Sequence, residues 1–101
     1  MDIKKITKNI VAVSDDYANS HSVNRDDDWY ILKLQEELGE LIQSYLSFTN
    51  RGRSRNKTNE EIKNNFADEL ADVLGQVLLI ANHHQIDIEK ALERKWYKFL
   101  N

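Results

Sequence analysis

Two acidic clusters, Glu36-Glu37-x-x-Glu40 and Glu69-x-x-Asp72, are the residues of this chain best able to do chemistry. Each sits inside an apolar-periodic segment, and residues three or four apart share one face of a helix. Glu37 and Glu40 therefore point the same way, Glu36 lies one turn before Glu40, and Glu69 lies beside Asp72. If the two segments pack side by side, at least four carboxylates converge. Crowded like charges in a half-buried site resist ionising together, and a divalent cation is the natural relief. Oxygen ligands favour Mg²⁺ or Mn²⁺ over zinc or copper. A di-iron bundle would need Glu-x-x-His pairs, but Ile80 and Ala81 stand three residues before His83 and His84. Either cluster alone reads more readily as a solvated helix face than as a site. Together, lying against Phe66, Leu70, Val73 and Val77, they are costly to leave unpaired.

The elements that must carry these acids are helices. The chain has 101 residues, no proline, three glycines and no cysteine, which predicts one all-α domain over residues 1–101 without disulfides or thiolate metal sites. Ile3, Ile6, Ile10, Val11, Val13 and Tyr17 predict a first helix from Asp2 to about Ala18. Asn19–Asp28 reads as a loop whose aspartates cap the next helix, with metal binding as their alternative role. That second helix, from about Asp27 to Phe48, carries the stripe Leu34, Leu38, Leu41, Ile42, Tyr45 and Phe48. Thr49–Asn59 is a loop with four basic residues between Arg51 and Lys57. Thr58 and Glu61 form a capping-box pattern for a third helix to about His84. His83 and His84 read as residues capping its C-terminal end. Asp87 caps a last helix running through about Phe99.

The second half of the third helix is apolar on nearly all sides, which predicts a subunit interface. Gly39 and Gly75 each cost a helix about 1 kcal/mol relative to alanine. They predict either a close approach of two backbones at the acids or ordinary helix packing. The longest apolar run, Val77–Ala81, is far short of the roughly 20 residues that span a bilayer, and the first residues do not resemble a secretory leader. A cytoplasmic protein is expected. The net charge of −3 gives no reason to expect a nucleic-acid or membrane partner.

The clusters, separated by 28 residues, resemble the signature of the MazG-like all-α nucleoside triphosphate pyrophosphatases. The likeness extends to Lys33-Leu34-x-Glu-Glu-Leu-Gly-Glu-Leu, Glu69-Leu-Ala-Asp-Val-Leu and the segment Ala81–Leu92, covering roughly residues 29–98. The resemblance implies a four-helix-bundle-like subunit that forms a dimer or a dimer of dimers. It implies Mg²⁺-dependent cleavage of a nucleoside triphosphate to the monophosphate and pyrophosphate. Residue by residue, it makes Glu37, Glu40, Glu69 and Asp72 the metal ligands, with Glu36 in a supporting or water-orienting role among the catalytic acids.

Positive groups must then hold the leaving pyrophosphate. Lys33, Lys63, Lys95 and Lys98 are the main candidates, with Arg94 and the Arg51–Lys57 loop as further ones. Trp29, with Tyr30 and His21, precedes the first cluster, where relatives place residues bounding the base. Gln76 stands where several relatives carry an aromatic, so base preference is not legible. The competing reading is a non-catalytic helical interaction module that kept the fold. A nucleic-acid binder using Arg51, Arg53 and Arg55 is a weaker third.

Overall fold

A computed structural model describes residues 2–53 and 56–101. Four α-helices and a closing 3-10 turn make up its regular structure: α1 Ile3–His21, α2 Asp27–Phe48, α3 Asn59–His83, α4 Ile88–Lys95, and the turn Tyr97–Phe99. The start signals act where the sequence places them. Asp26 accepts a hydrogen bond from the Trp29 backbone N–H at 2.8 Å and opens α2. Thr58 and Glu61 exchange the two bonds of the capping box, each 3.1 Å, and open α3. Such a cap is worth about 1 kcal/mol, enough to fix where the first turn begins and so which face each acid joins.

Two boundaries differ from expectation. The first helix continues past Ala18 to His21, where Ser22, at φ 54°, turns the chain out in the left-handed conformation. The last helix stops at Lys95 rather than Phe99. Trp96 then leads into the 3-10 turn, and Trp96 and Phe99 are 68% and 75% exposed. Lacking burial on any face, this tail has no packing to extend the α-helix against.

The dominant packing is the antiparallel pair α2–α3; α1 lies along α3, and α4 packs chiefly on the 3-10 turn that follows it. One chain is therefore a long helical hairpin with two flanking helices rather than a closed four-helix bundle. The hairpin is pinned at both ends. At one end His83 Nε2 lies 2.6 Å from Asp27 Oδ1, and the His83 ring stacks on Tyr30 with centroids 4.1 Å apart. There too, buried Gln76 donates to the Tyr30 carbonyl at 3.0 Å. At the other end Phe66 packs against Tyr45 and Phe48. Arg25 ties the α1–α2 connection back to α1 through Asp15 at 2.7 Å and Ser14 at 2.9 Å.

Part of the apolar second half of α3 is covered within the chain. Leu78, Leu79 and Ala81 are buried, and α1 supplies much of the cover, with Ile10 standing against Gly75. Leu74 in that half stays exposed, and with Leu70 on α3 and Ile31, Leu38 and Ile42 on α2 it belongs to an apolar surface 37–58% exposed. The expected close backbone approach at the two glycines is not found. A Cβ on Gly39 would meet nothing within 4 Å, and one on Gly75 would meet only the Ile10 side chain at 3.9 Å. Gly75 allows ordinary packing, and Gly39 faces open space.

Candidate metal centre and active site

The pinned register places Glu37 across from Asp72 and Glu40 across from Glu69. One carboxylate oxygen from each of the four can be chosen so that all lie within 4.8 Å of one another. Two helices each supply a pair of acids spaced by three residues, so the site is as rigid as the hairpin that carries it.

Its electrostatics are those of a site short of positive charge. Glu37 Oε2 and Glu69 Oε2 are buried and have no hydrogen-bond partner among the described residues. Burial first, then the charges of Glu40 and Asp72, push the Glu37 carboxyl above its usual range, with Lys33 opposing. Burial, then Asp72 and Glu40, raise Glu69. Burial, then Glu40 and Asp68, raise Asp72, again against Lys33. Lys33 is the cation at the cluster, its Nζ 3.2 Å from Glu36 and 3.8 Å from Glu37. Burial disfavours its charge, but the hydrogen bond to Glu36 and the neighbouring acids outweigh this and hold its pKa above the ordinary value.

A single ammonium cannot neutralise four acids. Two orphaned buried oxygens on opposite helices, within a set of hard oxygen donors, fit a divalent cation of the magnesium type. The chemistry of the donor set and the lack of alternative partners agree.

Beside this cluster a cavity of about 500 Å³ opens between α2, α3 and their connection. Glu40 and Glu69 line it, together with Gln43, Ser44, Arg53 and Asn65. The volume lies in the range of small-molecule sites, roughly 300–1,000 Å³.

Lys57 of the basic loop lines the cavity too; the other sequence candidates fall outside it. Lys63 is exposed on the first turns of α3, and Lys95 and Lys98 are exposed at the end of α4 and on the turn beyond it. Lys98 lies over the ring of its neighbour Phe99 at 5.2 Å. Trp29 is half-buried, edge-on to Tyr30 at 5.0 Å. Glu36 is exposed and held by Lys33. Of the basic loop, Arg55 lies outside the described residues. Arg51 packs over Tyr45 at 5.3 Å and donates to Thr49.

The family model of the MazG nucleotide pyrophosphohydrolase domain matches residues 30–101, which include all five acids, α2 from its second turn, α3 and α4. The chain belongs to the MazG family. No curated protein and no solved structure gives a significant match. Membership in the MazG family points to nucleotide pyrophosphohydrolase activity in general, and the hairpin brings together four of the five acids that resemble its signature, Glu36 lying outside the cluster. No helix among the described residues is long and apolar enough to cross a membrane.

Two features of this MazG domain were not legible as parts of a site. Gln76 is a buried strut that donates to the Tyr30 carbonyl. Asp27, expected to cap α2 or to bind metal, instead pairs with His83, which lowers its pKa chiefly through that hydrogen bond, while Asp26 is the cap. Of the two histidines, His84 does terminate α3, whereas His83 reaches across to α2.

The raised acids set a pH dependence for metal binding. A carboxyl whose folded pKa is raised holds its proton more tightly in the folded state. Its favourable contribution is present at low pH and is lost as pH rises through the folded value. Divalent metal competes for the ionised form, so it restores most above that value. Mg²⁺ at 100 times its dissociation constant should stabilise the fold by about 2.7 kcal/mol at neutral pH. For a domain of this size that raises Tm by on the order of 10–20 °C. The gain should shrink as pH falls toward the ordinary carboxylate range near 4. Thermal melts with and without Mg²⁺ from pH 8 to 5 check this; a pH-independent gain would contradict it.

Proposed function

We propose that this chain is a Mg²⁺-dependent nucleoside triphosphate pyrophosphohydrolase that releases pyrophosphate and a nucleoside monophosphate, serving to clear surplus or noncanonical nucleotides from a cytoplasmic pool. The observation that carries the reading is the pair of buried, partnerless oxygens, Glu37 Oε2 and Glu69 Oε2, within the four-acid cluster at the edge of the cavity. Glu37, Glu40, Glu69 and Asp72 would hold Mg²⁺, with Mn²⁺ as the substitute. When bound, the metal supplies polarisation of the phosphoryl oxygens and a more acidic water.

The protein's own groups do the rest. Rigid acids on two helices fix the position of the α-phosphate relative to the attacking water, so that approach costs little orientational entropy. Glu36, restrained by Lys33 at the rim, orients that water. A carboxylate oxygen of the cluster not fully engaged by metal, its proton affinity raised by burial, would take the proton. Lys33 offsets negative charge as the leaving pyrophosphate develops it. Trp29, Lys63, Lys95 and Lys98 lie off the cavity wall, and their place in this reading is at the far ends of a bound nucleotide or at the site of a second copy.

That second copy is part of the proposal. The radius of gyration is 16.0 Å, against about 13 Å for a compact domain of 100 residues. The exposed residues Ile31, Leu38, Ile42, Leu70 and Leu74 lie on the flanks of α2 and α3 turned away from the acids, by helical spacing. Pairing there makes a homodimer and leaves the site open; the C-terminal apolar tail would extend it to a dimer of dimers.

The test is pyrophosphate release from a panel of canonical and damaged nucleoside triphosphates, with Mg²⁺, Mn²⁺ and a chelator. Metal-dependent release from at least one triphosphate is expected. Silence across the panel would favour the non-catalytic interaction module instead.

A further inference from the structure

The acids occupy one part of the cavity wall, and the α2–α3 connection brings a contrasting part. Arg53 and Lys57 line the same space as Glu40 and Glu69, with Ser47 and Asn65 among the neutral groups there. Both cations are exposed, and among the described residues neither forms an ion pair. A cavity carrying metal-type acids and free cations suits a ligand that is an anion and also chelates a divalent ion. A polyphosphate is such a ligand, and arginine matches phosphate with a two-pronged donor geometry.

The connection is not a loose arm. Arg51 and Gly52 donate backbone N–H groups to the Leu46 carbonyl at 2.7 and 3.0 Å, and the Ser47 hydroxyl donates to the Arg53 carbonyl at 2.8 Å. Gly52 lies so close to the last turn of α2 that a Cβ there would stand 3.0 Å from the Ser47 backbone nitrogen. Glycine lets the chain fold back on the helix, which sets the backbone of Arg53 at the cavity. Lys57 stands just before the Thr58 cap of α3. Both cations are thus tied to the helices that hold the acids.

We propose that Arg53 and Lys57 bind the β- and γ-phosphates of the substrate, the part that leaves as pyrophosphate, and so select triphosphates over shorter nucleotides. This rests on the pyrophosphohydrolase reading of the site. It assigns the leaving-group role to the α2–α3 connection rather than to Lys63, Lys95 or Lys98.

The experiment compares the whole protein with its Arg53→Gln/Lys57→Gln double variant, using inorganic pyrophosphate with Mg²⁺ as the calorimetric probe. Charge-assisted hydrogen bonds are the stronger kind, so the variant should bind pyrophosphate at least about tenfold more weakly. KM for a hydrolysed triphosphate should rise by a similar factor. Binding of a nucleoside monophosphate and the Mg²⁺-induced rise in Tm should stay as in the wild type, which separates lost phosphate contact from a damaged fold. Unchanged pyrophosphate affinity would overturn the assignment, as would wild-type protein that binds no pyrophosphate. If the wild type hydrolyses nothing yet binds pyrophosphate through these residues, the enzyme reading falls and the anion site stands. If the wild type hydrolyses and the variant matches it, the reverse holds.

Discussion

Glu37→Gln lowers pyrophosphate release by at least about 10²-fold while raising the thermal stability of the metal-free protein. The two effects have one origin. Glutamine keeps the shape of the side chain but removes a charge that burial, Glu40 and Asp72 all disfavour. Its amide can donate to the neighbouring acids, so the orphaned oxygen is replaced by a donor among acceptors. The same change removes a proposed metal ligand, and metal ions supply several kcal/mol of transition-state stabilisation, each 1.36 kcal/mol being about tenfold in rate. Melting curves without metal and initial rates with Mg²⁺ check both halves. A variant that loses activity and also melts lower would show that Glu37 supports the fold rather than the site. Opposite movements of rate and Tm are the signature of strain held for function.

Leu74→Asp should separate the chains of the proposed dimer. Leu74 is 58% exposed, one turn from Leu70, which is 48% exposed, and across the hairpin from the α2 stripe of Ile31, Leu38 and Ile42. In a two-fold interface each substitution appears twice and places carboxylates near one another. Like charges brought together at an interface cost several kcal/mol, so the dissociation constant should rise by at least about 10²-fold. Sedimentation at micromolar concentration should show the wild type as a dimer or larger and the variant as a smaller, less stable species. A wild type that sediments as a monomer would end the interface argument.

Much of the site was legible because it depends on local spacing. Acids at intervals of three within apolar-periodic segments had to share helix faces, and Asp26 and Thr58 fixed where those helices start. The register was harder to read. It comes from Gln76 reaching the Tyr30 carbonyl and His83 reaching Asp27, contacts 46 and 56 residues apart in sequence. Each of these residues has an ordinary local role that hides the long-range one: a polar residue in a helix, a capping aspartate, a terminal histidine. The basic loop was visible as composition, but only the fold of Gly52 against Ser47 shows that Arg53 shares a cavity with the acids. Of the two helical glycines, Gly75 fits the ordinary-packing reading, while Gly39 fits neither, since a helix weakened there need not be weakened for a neighbour's sake.

The struts at the two ends of the hairpin have a mechanical consequence. Four mutually repelling charges sit near midspan of a beam clamped at both ends, so their repulsion loads the helices without prying them apart. The clamped hairpin therefore fixes the spacing of the acids by itself. A cation binding there would meet carboxylates already in position and would have chiefly its own water to shed.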